Sequence, residues 1–167
     1  MGRSLEREVI IAHVSLALRD LVINMLEIAS EILKEIHAHG EKAYPEEGAG
    51  FLLGKVDGEQ RRVTAILELT NAREDAARHN RYLLTPQDYL RGEQEADRLN
   101  LDVLGVFHSH PDHPSRPSEF DRQWAMPWFS YLITRVQAGR AAESRSWRLV
   151  EDRSQFDEEK IEITNRR

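Results

Sequence analysis

Three of the chain's seven histidines fall inside His108-Ser-His110-Pro-Asp-His113. The apolar run before them, Leu101-Asp-Val-Leu-Gly-Val-Phe107, has the length and composition of a buried strand. Alternate strand residues project to one face, so His108 and His110 can present imidazole nitrogens to one metal ion, with Pro111 fixing the exit. Asp121 follows His110 after ten intervening residues. It stands in the first turn of a helix expected to begin near Ser118, from where it can return a carboxylate oxygen to the same ion. Two imidazoles and one carboxylate make three ligands, the usual number for catalytic zinc, which keeps a fourth position for water; structural sites are closed by four. His113 is a candidate fourth ligand, set against the plainer reading of a solvated loop residue. Upstream, Glu46 and Glu47 stand in a Pro-Glu-Glu-Gly-x-Gly turn.

Composition excludes the competing chemistries. With no cysteine in 167 residues there are no disulfides, thiolate nucleophiles, Fe–S clusters or Cys-based zinc sites, so any metal must sit on His, Asp and Glu. A formal net charge of -6 has the wrong sign for a protein that lives on phosphate backbones, and nucleic acid is not an expected partner. The apolar stretch over 9–18 is short, carries His13 and Ser15, and cannot span a bilayer. Arg3 and Arg7 mimic the basic start of a signal peptide, but no small-residue cleavage pattern follows. A cytoplasmic protein with no membrane partner is expected. The length fits a single domain over 1–167, and 40% hydrophobic residues suffice for a core.

The elements that must position these residues follow from hydrophobic spacing. Leu18, Leu21, Met25, Ile28, Ile32 and Ile36 recur at intervals of three and four, which predicts one long amphipathic helix over 18–43, stopped before Pro45. The apolar run Gly48-Ala-Gly-Phe-Leu-Leu-Gly54, the pair Asp57-Gly58, and Arg62-Val-Thr-Ala-Ile-Leu-Glu-Leu69 read as a hairpin. An exposed loop is expected over 71–80. Thr85-Pro86-Gln-Asp88 supplies a cap, a first-turn proline and a first-turn acid for a helix ending near Asn100. Strands are expected over 130–136 and 146–150, with an edge strand over 160–164. Irregular alternation of helices and strands favours an α/β domain in which helices flank a mixed sheet. Trp124, Trp128, Trp147, Phe129 and Tyr131 are expected in the core, and His37, His39 and His79 at the surface or at helix ends.

Two motifs carry a family resemblance. Pro45-Glu-Glu47-Gly-Ala-Gly50-Phe-Leu-Leu-Gly54 resembles the glutamate motif of the JAMM (MPN+, JAB) metalloproteases, and His108-x-His110 with Pro117-Ser118-x-x-Asp121 is similar to their zinc motif. The likeness runs from the end of the first helix to about Val150 and is greatest to short prokaryotic members. It implies a cytidine-deaminase-like architecture. It also implies one zinc ion per chain on His108, His110 and Asp121 with a catalytic water, Glu47 as general base, and Ser118 as helix cap or as a donor to the tetrahedral intermediate. In the family the glutamate stands three residues before the glycine that opens the apolar strand, which selects Glu47 over Glu46 if that glycine is Gly50. The implied reaction is hydrolysis after the C-terminal Gly-Gly of a ubiquitin-like or sulfur-carrier protein; linear peptide, lysine isopeptide and cysteine adduct all stay open. Two departures stand out: no cysteine beside Gly48 or Ala49, and a longer first helix, which could form a homodimer contact. A non-hydrolytic interaction module and a RadC-like, DNA-repair-associated domain are the alternatives, the second disfavoured by Ser109 where that branch has asparagine.

Overall fold

The computed structural model of the chain describes residues 25–58, 60–70, 82 and 84–165. Seven strands, β1 (Met25–Ala29), β2 (Ala49–Asp57), β3 (Gln60–Leu69), β4 (Asp102–Pro111), β5 (Ser130–Gln137), β6 (Arg140–Leu149) and β7 (Phe156–Thr164), close into a barrel. Their order around it is β1-β3-β2-β4-β5-β6-β7. The sheet is mixed: β1 runs parallel to both β3 and β7, β4 parallel to β5, and the remaining pairs are antiparallel. Among the described residues three helices accompany it, α1 (Ser30–Ala43), α2 (Pro86–Leu99) and α3 (Glu119–Trp124).

β2 explains the apolar run that has no polar alternation. Leu52 joins Leu26, Ile28, Ile32, Ile36 and Phe107 beneath α1. Its neighbours Phe51 and Leu53 point the other way, into a second core with Ala96 of α2, Val106, Phe129 and Tyr131. A strand covered on both faces has no solvent side to mark with polar residues. The hairpin turn falls where the sequence placed it, with Gly58 at φ +61° between β2 and β3. α2 opens with a reciprocal capping box between Thr85 and Asp88 and closes on Asn100 in the left-handed conformation.

The helix expected over 18–43 is shorter in the described residues: Met25–Ala29 is a strand and the helix begins at Ser30. Residues 18–24 lie outside the described residues. Ile28 fits both periods, since it stands three residues after Met25 and two after Leu26. Packing decides between them. Leu26 and Ile28 are fully buried between two strands, worth about 1.5–3 kcal/mol each, whereas helix-propensity differences are below about 1 kcal/mol per residue. Part of the surface assigned to a homodimer contact is thereby absorbed into the barrel.

Three further expectations change. The last strand is not an edge, because β7 pairs with both β6 and β1 and closes the sheet. β6 starts at Arg140, six residues before the expected start at 146. Trp124 and Trp128 are 63% and 61% exposed: β5 begins only at Ser130, so both lie in α3 and the connection after it, where Ala125 and Phe129 take the buried positions. Trp147 is half-buried and its indole N–H donates to the Ser115 carbonyl at 2.9 Å. The loop expected over 71–80 and His79 lie outside the described residues.

Candidate active site

β4 continues through both histidines to Pro111, so His108 and His110 share a strand face and both are buried. Their Nε2 atoms face each other at 3.1 Å. Asp121 reaches them from α3, with Oδ1 3.2 Å from His108 Nε2 and Oδ2 3.8 Å from His110 Nε2. Ligand atoms about 2.0 Å from a tetrahedral ion stand about 3.3 Å apart, and the three separations bracket that value. Residues and donor types therefore fit one metal ion, and all three side chains are buried.

The surroundings orient each donor. His110 Nδ1–H donates to the Pro114 carbonyl at 2.8 Å, which leaves the Nε2 lone pair pointing into the group. Burial, reinforced by the neighbouring His108, pushes the His110 imidazole down to about 4, so it is neutral and able to ligate at neutral pH. Tyr82 lies against the His108 ring with centroids 4.2 Å apart. For Asp121, burial alone would raise the carboxyl. The facing His108 and the bonds from Ser118 outweigh that effect and hold it well below the usual carboxylate range.

A helix of six residues is unstable alone, and α3 is held at both ends. Ser118 and Asp121 form a capping box: the Ser118 N–H and hydroxyl each donate to Asp121 Oδ2 at 2.6 Å, and the Asp121 N–H donates back to Ser118 Oγ at 3.2 Å. At the other end the Arg153 guanidinium donates to the carbonyls of Arg122, Gln123 and Ala125. Ser118 thus acts as the cap, and its hydroxyl hydrogen is directed at Asp121.

Glu47 is only 5% exposed. The antiparallel register of β2 with β4 pairs Ala49 with His108, which carries the turn before β2 toward His108 and His110. Gly50 is needed for this approach, since a Cβ there would lie 2.3 Å from the Leu67 carbonyl oxygen and 2.4 Å from the Phe107 ring. Glu47, His110, His113, Pro114, Arg116 and Ser118 border one cavity of about 480 Å³. Glu46 is absent from that wall and borders, again with Glu47, a neighbouring cavity of about 460 Å³. His113 is exposed at the rim of the first. His39, expected at the surface or at a helix end, lies near the end of α1, where it packs edge-on against Phe107 and meets Glu68 at 3.3 Å, and His37 bonds to Ser144 at 2.9 Å.

Residues 29–150 match the family of prokaryotic homologues of the JAB domain. The chain belongs to that family. This JAB-domain chain is 28% identical over 129 residues to a probable TtuB-protein conjugate cleaving protease of Thermus thermophilus, across 75% of this chain and 82% of that protein. It is 28% identical over 121 residues to a desampylase of Pyrococcus furiosus, across 70% and 76% of the two chains. Its fold matches a JAB1/MPN-domain protein from Archaeoglobus fulgidus with a TM-score of 0.51 at 18% identity, covering 83% and 96%. The matched JAB region contains Glu47, His108, His110, Ser118 and Asp121.

Several neighbours of this JAB site escaped the sequence. The Pro114 carbonyl is a backbone group four residues past His110, for which side-chain motifs give no signal. Tyr82 stands before the capped start of α2 without periodic context. Ser109 was legible as the residue between two candidate ligands and as a departure from the RadC-like pattern, but not as a partner of Gly48.

Proposed function

We propose that this JAB-domain chain is a zinc-dependent metallopeptidase or isopeptidase that cleaves after the C-terminal Gly-Gly of a ubiquitin-like or sulfur-carrier protein. One observation carries the reading: His108, His110 and Asp121 converge within ligand distance while Glu47 borders the cavity that also holds His110. The activities named for the Thermus and Pyrococcus relatives support the substrate class. A zinc ion held by the three ligands would polarise the scissile carbonyl and lower the pKa of water toward ~7.

The chain's own residues do the rest. The Glu47 carboxylate accepts a proton from the attacking water and returns it to the leaving amine. The Ser118 hydroxyl turns from Asp121 Oδ2 to donate to the oxygen of the tetrahedral intermediate; its N–H bond to the same oxygen keeps Asp121 oriented. We read residues 1–167 as one cytoplasmic domain of cytidine-deaminase-like architecture. Incubating the zinc-loaded chain with a panel of Gly-Gly fusions tests the proposed activity: release of the carrier with a free Gly-Gly end, abolished by chelation and restored by zinc, is expected. No cleavage of any fusion by a zinc-replete chain would overturn it.

A further inference from the structure

Glu47 belongs to the connection 44–48 between α1 and β2, and that connection is tied at both ends to β4 and the residue after it. At its start the Tyr44 hydroxyl donates to Asp112 Oδ2 at 2.9 Å, and Asp112 Oδ1 accepts the Ala138 N–H at 2.8 Å. At its end the Gly48 N–H donates to Ser109 Oγ at 2.9 Å, and the Ser109 N–H donates to the Gly48 carbonyl at 2.8 Å. Ser109 is 2% exposed and stands between the two histidines, its side chain on the opposite strand face. α1 closes over that side chain: a Cβ on Gly40 would lie 3.1 Å from Ser109 Cβ. The Ser109 hydroxyl therefore has a fixed place and a fixed partner.

We infer that Ser109 is a positioning residue which sets the Glu47 carboxylate relative to His108 and His110 by holding Gly48 from both its N–H and its carbonyl. The inference rests on the reading of Glu47 as general base. Without the hydroxyl, the buried Gly48 N–H loses its acceptor, a state that folded proteins avoid. The turn then shifts toward another acceptor and takes Glu47 with it, while both ligand histidines stay in the β4 ladder. A displacement of about 1 Å in a catalytic group costs on the order of 10²-fold in rate.

The test is a double-mutant cycle on the zinc-loaded full chain, with a Gly-Gly fusion as substrate and zinc content and melting temperature measured alongside. Ser109→Ala should lower kcat by roughly 10- to 100-fold with KM and zinc content unchanged. In the Glu47→Gln background the same substitution should change residual turnover less than about twofold, because it acts through the group already removed. Tyr44→Phe, at the exposed end of the connection, should show the same dependence on Glu47 with a smaller loss, and it carries the test if Ser109→Ala does not fold. Equal losses in both backgrounds, loss of zinc, or unchanged kcat in the single variants would overturn the inference. Wild-type turnover in Glu47→Gln alone would instead remove the general-base reading on which it stands.

Discussion

The barrel holds two buried polar clusters of opposite design. At one, Glu159 of β7 is 2% exposed and its carboxylate accepts from the Ser130 hydroxyl of β5 at 3.2 Å and the Ser146 hydroxyl of β6 at 2.7 Å. Arg61 of β3 completes it, donating to Ser130 Oγ at 3.2 Å and to the Leu104 carbonyl at 3.1 Å. Both serine hydroxyls and Arg61 Nη1 meet acceptors there. At the other, two imidazole Nε2 atoms and a carboxylate face one another, and His108 Nδ1 has no hydrogen-bond partner. With His110 Nδ1 donating to the Pro114 carbonyl, the two Nε2 atoms and the Asp121 carboxylate can be offered to a single cation. A buried polar group with its own partners ties strands together; lone pairs aimed at a common point call for a ligand.

The largest effect that would sharpen this contrast is loss of the metal. His110→Ala or Asp121→Ala leaves two protein ligands and should abolish zinc retention and hydrolysis together, read by elemental analysis against a wild-type value of about one zinc per chain. A wild-type chain that stays metal-free after zinc loading and dialysis would break the comparison outright.

Glu47→Gln comes next, with metal retained and turnover reduced by about 10²–10⁴-fold, the usual cost of a missing general base. Glu46→Gln, outside the cavity that holds His110, should be nearly silent in the same steady-state assay. The reverse result would shift the motif alignment through Gly50 by one residue.

Ser118→Ala should keep zinc and lose roughly 10²–10³ in turnover if its hydroxyl serves the oxyanion. Unchanged turnover, with a lower melting temperature, would reduce it to the cap of α3.

The smallest effect belongs to the self-satisfied cluster. Glu159→Ala leaves two buried serine hydroxyls without their acceptor and should cost about 1–3 kcal/mol in urea unfolding, with zinc content and kcat per folded chain unchanged. A loss of metal in this variant would erase the distinction between the two clusters.

The sequence determined the pieces whose geometry is local. Two residues apart on a strand means one face, so His108 and His110 were legible as a pair. Ser-x-x-Asp read as a helix start because the capping box lies within one turn, and the same reasoning fixed Thr85 and Asp88. The Asp57-Gly58 turn was readable because a two-strand reversal needs only its neighbours. What lay beyond these reaches was settled by tertiary packing. Met25–Ala29 is compatible with either period, and only the open flanks of β3 and β7 make it a strand. Closure through β7 follows from that same pairing. Trp124 and Trp128 look like core by type, yet the space was filled by Phe129 and Ala125. Glu47 comes to the cavity of His110 through the register of β2 on β4 and the Gly48–Ser109 bonds, which join residues 61 apart in the chain. No local spacing encodes that distance, because it depends on which strands pair and at which residue.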